Sequence, residues 1–115
     1  MSNESVKTIG GIVRYLQKSA LPPNSTLYVS LRDVSLADAP AKELACQVTP
    51  HAETTGLNFN LTYNLADVLP GHTYAIWASI KTNDKLIFTT TQHHAVELGV
   101  DYVKGQEVLV SPVNH

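Results

Sequence analysis

The residues able to do chemistry in this chain are few and badly spaced for it. His93 and His94 are adjacent. On a strand, neighbours point to opposite faces, so the two imidazoles cannot grip one metal ion. His72 sits in a turn, where a polar turn residue is its expected role, and no nucleophile stands near it in sequence to make it a general base. Asp33, Asp38, Asp67 and Asp101 are scattered, each at a place that a turn or an exposed surface explains. Arg14 and Arg32 are the only guanidinium groups, and neither is paired in sequence with a histidine. There is no glycine-rich phosphate loop opening a helix and no nucleophile elbow. Asn3, Asn24 and Asn60 head Asn-x-Ser/Thr triplets, which matter only in a eukaryotic secreted chain. Catalytic, cofactor and metal sites are therefore all expected to be absent.

Cys46 is the single cysteine, so no intramolecular disulfide can form. Leu44-Ala45-Cys46 looks superficially like the end of a lipoprotein signal, but Asp38, Lys42 and Glu43 interrupt the apolar run such a signal needs. Cys46 is expected as a small core residue. The basic residues number 8 in 115, are spread singly, and sit in a chain of net charge -2, which excludes a nucleic-acid footprint. No run approaches the roughly 18 apolar residues of a membrane-spanning helix. The start, MSNESVKT, carries no signal peptide as written. A leader upstream would put the protein in the periplasm or on the inner face of the outer membrane; a chain complete as written would stay in the cytoplasm.

The elements that must position these side chains follow a period of two. "LNFNLTYN" (57 to 64) alternates Leu57, Phe59, Leu61 and Tyr63 with polar residues, the mark of a strand with one buried face. "TIGGIVRYLQK" (8 to 18) is a first strand, whose Gly10-Gly11 pair predicts a bulge or a close backbone approach. "TLYVSLRDV" (26 to 34) puts Leu27, Val29 and Leu31 on one face and Tyr28, Ser30 and Arg32 on the other. "KELACQVT" (42 to 49) puts Leu44, Cys46 and Val48 on one face, "PHAETTG" is a polar loop, and "LADVLPGH" has room for a helical turn. "TYAIWASIK" and "KLIFTTT" flank Asn83-Asp84 as a hairpin. "HHAVELGVDYVKG" is less regular, and "QEVLVSPV" is a last strand ending at Pro112.

This pattern predicts an all-β fold: residues 1–8 as a flexible N-terminal segment, and 9–113 as one antiparallel β-sandwich of about seven strands, transthyretin- or Ig-like. A small barrel is the competing architecture. Tyr74 follows Leu69, Pro70 and Gly71 at the start of a strand, the setting of a tyrosine corner, with its ring on the core and its hydroxyl on the crossover backbone. On the same strand Trp77 should point outward, opposite Tyr74, Ile76, Ala78 and Ile80. Tyr28 and Trp77 are thus the candidate anchors for a protein partner.

The stretches "ALPP" (20 to 23), "DVS" (33 to 35) with "ADAP" (37 to 40), and "HTYA" (72 to 75) resemble the bacterial YbaY/YscW family of type III secretion lipoprotein chaperones, or pilotins, with the YbaY-type branch the closer. The resemblance runs from about residue 9 to 111. It implies a β-sandwich of transthyretin-like character and a non-enzymatic envelope protein, lipid-anchored in many members. Pilotin members bind a secretin subunit and help it assemble in the outer membrane. This chain shows no lipobox and no lipid-bearing cysteine, so membrane association would require an anchor lying outside it. Two rival readings remain open: a small-molecule carrier or hydrolase on a transthyretin-like frame, and a structural module that forms homo-oligomers through an edge strand.

Overall fold

A computed structural model describes residues 6–15, 20–35, 42–91, 94–98 and 103–113. Asp38, His93 and Asp101 lie outside the described residues, as do Asn3 and the whole 37–40 stretch. The elements are β1 (Val6–Tyr15), β2 (Ser25–Asp33), β3 (Lys42–Thr49), α1 (Ala52–Thr55), β4 (Asn58–Asn64), β5 (Tyr74–Thr82), β6 (Lys85–Thr89), β7 (His94–Val96) and β8 (Val103–Pro112). β1 starts at Val6, ahead of the expected domain start at residue 9.

The all-β expectation holds, but the strands do not form a clear transthyretin or Ig sandwich. The strands form one continuous path, β3-β2-β5-β6-β8-β1-β4, with β7 attached to β5. β6 and β8 share only Phe88↔Pro112 and Thr89↔Ser111, the shortest pairing along the path. The path curls until its two ends, β3 and β4, face each other. The result is a nearly closed, barrel-like sheet rather than a clear transthyretin or Ig sandwich. It is not wholly antiparallel either, because β1 and β8 run parallel. Pairing of this kind is non-local, and alternation within a strand carries no information about it.

Gln47 bridges the two ends of the path. Its side-chain Nε2 donates to the Asn58 carbonyl (3.2 Å), and its Oε1 accepts the Asn60 backbone N–H (2.8 Å). One carboxamide thereby makes the two bonds that a residue of a parallel neighbouring strand would make to β4. A strand edge that would invite another chain is partly capped this way.

The interior is aliphatic. Ile9, Leu27, Leu31, Leu61, Ile76, Ile80 and Val108 are each at most 1% exposed, and Phe59 and Tyr63 join the same cluster. β4 shows the expected pattern without exception, its odd-numbered residues buried and its even-numbered residues exposed. Asn83 and Asp84 both take positive φ (50° and 67°), as a tight hairpin turn demands. The helical turn after β4 is a 3-10 turn at Leu65–Asp67, capped by Asn64.

Two local expectations are corrected. The "PHAETTG" loop contains α1, a single helical turn whose Ala52 is buried. Its Glu53 carboxylate accepts the N–H groups of Asn24 and Ser25 (3.2 and 3.0 Å). The Glu53 backbone amide first, and then those of Ser25 and Asn24, hold the carboxyl below its ordinary range. The second correction is Cys46, which is exposed instead of buried. The register from Leu31↔Ala45 to Arg32↔Glu43 skips Leu44, a bulge that lets both Leu44 and Ala45 pack against the core. Beyond it, Gln47 and Thr49 are half-buried, while Cys46 and Val48 are turned to solvent.

Candidate functional site

The outer face of β3, β2 and β5 brings the two predicted anchors together. β2 and β5 pair antiparallel with Tyr28↔Ser79 and Ser30↔Trp77 in register. Tyr28 and Trp77 are therefore diagonal neighbours on one face, both half-buried. The guanidinium of Arg32 lies 5.4 Å from the Trp77 ring centroid, and the ammonium of Lys81 lies 5.4 Å from that of Tyr28. Ser30 and Ser79 are small beside these rings, and the depression between them encloses about 240 Å³. Val48, 52% exposed, extends its apolar rim onto β3.

Arg32 and Lys81 were absent from the sequence-based anchors, yet the signal was there. "YVSLR" (28 to 32) and "WASIK" (77 to 81) share the order aromatic, x, serine, x, cation. Paired antiparallel, the two segments are related by an approximate two-fold axis, and each cation crosses onto the ring of the other strand. A period of two places all three side chains of each segment on one face.

A second constellation fastens the start of β5. Asp33, at the end of β2, takes Ser35 through its backbone N–H (3.0 Å) and hydroxyl (2.6 Å) on one oxygen, and His72 Nδ1 on the other (2.6 Å). Because an ionised carboxylate only accepts, Nδ1 of His72 carries the proton. Ser35 Oγ in turn accepts the Thr73 N–H (2.6 Å). The "DVS" and "HTYA" stretches thus meet in space. Next to them Tyr74 forms its corner: the hydroxyl accepts the Leu69 N–H (2.7 Å) and donates to the Asp67 carbonyl (3.3 Å). A groove of about 600 Å³ opens beside the corner, lined by Val68, Leu69, Pro70, Val96 and Leu98. Tyr74 and His72, whose ring centroids are 6.5 Å apart, also line it, but no lysine or arginine does, unlike the outer face.

The Asp33 cluster is wired as a clasp. Ser35 gives its hydroxyl proton to Asp33 and not to His72, so no activated nucleophile results. Hydrogen bonds from Ser35 and then His72 lower the Asp33 pKa to about 2. A depressed carboxylate stabilises the fold above its unfolded pKa, and that contribution fades as pH falls through the folded value. Asp33→Asn is accordingly expected to unfold at lower urea than the parent at pH 7. The gap should narrow as pH drops from about 4 to about 2. Urea midpoints at pH 7, 4 and 2.5 check this, and a gap independent of pH would contradict it.

Of the remaining candidates, Arg14 pairs with Glu107 (3.2 Å) and Lys42 with Asp67 (3.7 Å). His94 bonds Gln106 (2.9 Å). Among the described residues, no three histidine, cysteine or acidic side chains gather in a way that could hold a metal ion.

Residues 4–104 match the family described as type III secretion system lipoprotein chaperone (YscW). The chain belongs to this family. Within it, the chain is 45% identical over 83 residues to the uncharacterized lipoprotein YbaY of Escherichia coli K12. That match covers 71% of this chain but only 44% of YbaY, so the chain corresponds to about half of that relative. The fold is similar to that of an alternative pilotin from the type II secretion system of Vibrio cholerae, with a TM-score of 0.84 and 34% identity over 96% of this chain and 99% of the other. This YscW-family chain is thus a β-rich member of a lipoprotein chaperone family. Among its described residues no helix is long and apolar enough to cross a membrane.

Proposed function

We propose that this YscW-family chain is a non-enzymatic protein-binding module of the bacterial cell envelope that works as a pilotin. It would hold an outer-membrane component, a secretin subunit being the expected client, with Tyr28 and Trp77 as the anchors. The observation that carries this reading is the meeting of those two rings on one open face, in a fold shared with a pilotin. Aromatic side chains at the centre of a face supply large contact area at little entropic cost, which is why they dominate binding hot spots. The clasp wiring of Asp33, Ser35 and His72 supports the non-catalytic side of the reading.

The test is co-expression of the tagged chain with each secretin subunit of its own bacterium, followed by affinity capture. Wild type should retain one of them, and Trp77→Ala should weaken retention by about tenfold or more, the loss that a central aromatic anchor implies. Full retention by the variant would remove this face from the account.

A further inference from the structure

We infer that the segment this face receives is acidic: an extended peptide that presents carboxylates to Arg32 and Lys81 and an apolar side chain to the space between Tyr28 and Trp77. The inference rests on the reading above and adds the chemistry of the partner.

The first support is uncompensated charge. Arg14 and Lys42 elsewhere in the molecule each have a carboxylate. Arg32 and Lys81 form no ion pair among the described residues, and both are laid across aromatic rings instead. Glu43 is the register partner of Arg32, yet it forms no ion pair with it. The depression therefore holds two cations and one acid in a chain whose formal charge is -2.

Geometry is the second support. Arg32 Nε donates to Ser30 Oγ (2.9 Å), which orients the guanidinium plane. Its outer N–H groups have no hydrogen bond among the described residues, and this fork matches a carboxylate. An exposed cation–π contact is weaker than such a two-pronged bond, so an arriving carboxylate can draw the guanidinium off the ring and uncover Trp77. The near two-fold relation of "YVSLR" and "WASIK" repeats the device with Lys81 over Tyr28. The Cα atoms of Arg32 and Lys81 lie opposite Ala75 and Thr26, about 20 Å apart along the strands, and their charged ends lean back over the two rings between them. An extended segment lying along the strands can bring one acid to each of them.

A membrane surface fits less well. Attraction to anionic lipid takes a cluster of about four to eight basic residues, whereas this face has two and is concave.

The experiment titrates the intact, 15N-labelled chain with a short peptide alternating Glu with Leu and Phe, and with its Gln-for-Glu counterpart. The acidic peptide should shift the Trp77 indole N–H and the amides of Ser30, Cys46 and Ser79. Binding should weaken with salt, and by about tenfold for the Gln peptide or for the Arg32→Gln/Lys81→Gln variant at unchanged Tm. Equal binding of the two peptides would overturn the inference. So would no shift at these residues, shifts gathered instead at Leu69, Val96 and Leu98, or a response to anionic vesicles alone. Secretin capture separates this failure from failure of the face itself. Loss in Trp77→Ala with retention in Arg32→Gln/Lys81→Gln leaves the face standing and removes the acidic partner, while retention in both removes the two together.

Discussion

Gly11→Ala is expected to destabilise the protein by about 3 kcal/mol or more, toward the severe end for a single methyl group. β1 and β8 pair in parallel with Gly11 opposite Gln106. Between Ile9↔Val103 and Gly11↔Gln106 the β8 strand carries one residue more than β1, and Gly105 within that bulge takes a φ of 78°. The bulge pushes the Gln106 carbonyl against Gly11. A Cβ there would be driven into that carbonyl oxygen, and it would stand 2.8 Å from both the carbonyl carbon and Cβ of Gln106. A flexible side-chain tip could swing aside, but this obstacle is backbone. To admit the methyl group, β1 and β8 must part along the seam that joins β4 to the rest of the barrel. Gly56→Ala supplies the contrast. Nothing stands within 4 Å of a Cβ at Gly56, so only the strain of its positive φ remains, about 1–3 kcal/mol. Urea unfolding of both variants gives the comparison. A Gly11→Ala midpoint at or above that of Gly56→Ala would show that the strands are not held this close.

Tyr74→Ala is the second large effect. The tyrosine is 4% exposed and belongs to the core cluster, and truncating a buried ring costs about 3–5 kcal/mol. The hydroxyl adds to this, since its removal leaves the Leu69 N–H and the Asp67 carbonyl without their partner. Tyr74→Phe isolates that part and should cost about 1–2 kcal/mol. It should also speed amide hydrogen exchange at Leu69 more than at Ile76 in the strand centre, because the loosening is local to the crossover. Equal stability of Tyr74→Phe and wild type would mean that the hydroxyl does not fasten the corner. Equal stability of the Phe and Ala variants would mean that the ring contributes nothing to the core.

Much of this was legible in the chain because it is local. Strict alternation in "LNFNLTYN" marks a half-buried strand whatever lies opposite it, and Phe59, Leu61 and Tyr63 are buried as it requires. The outward Trp77 follows from the same period of two, and the Asn83-Asp84 turn from residues that tolerate positive φ. The corner at Tyr74 was readable because its ring, turn and hydroxyl partners span only Asp67 to Tyr74. Pairing between distant segments was not readable. Nothing in "GIVRY" or "QEVLV" says that the two strands run parallel, and nothing in "KELACQVT" announces the bulge that turns Cys46 to solvent. Asp33 and His72, 39 residues apart, meet only because β2 and β5 are neighbours. The same pairing lays Arg32 on Trp77 and Lys81 on Tyr28. Side-chain period is a property of one strand, so the sequence alone determines which residues share a face. Register, direction and bulges belong to two strands at once, so only the tertiary structure decides what those faces meet.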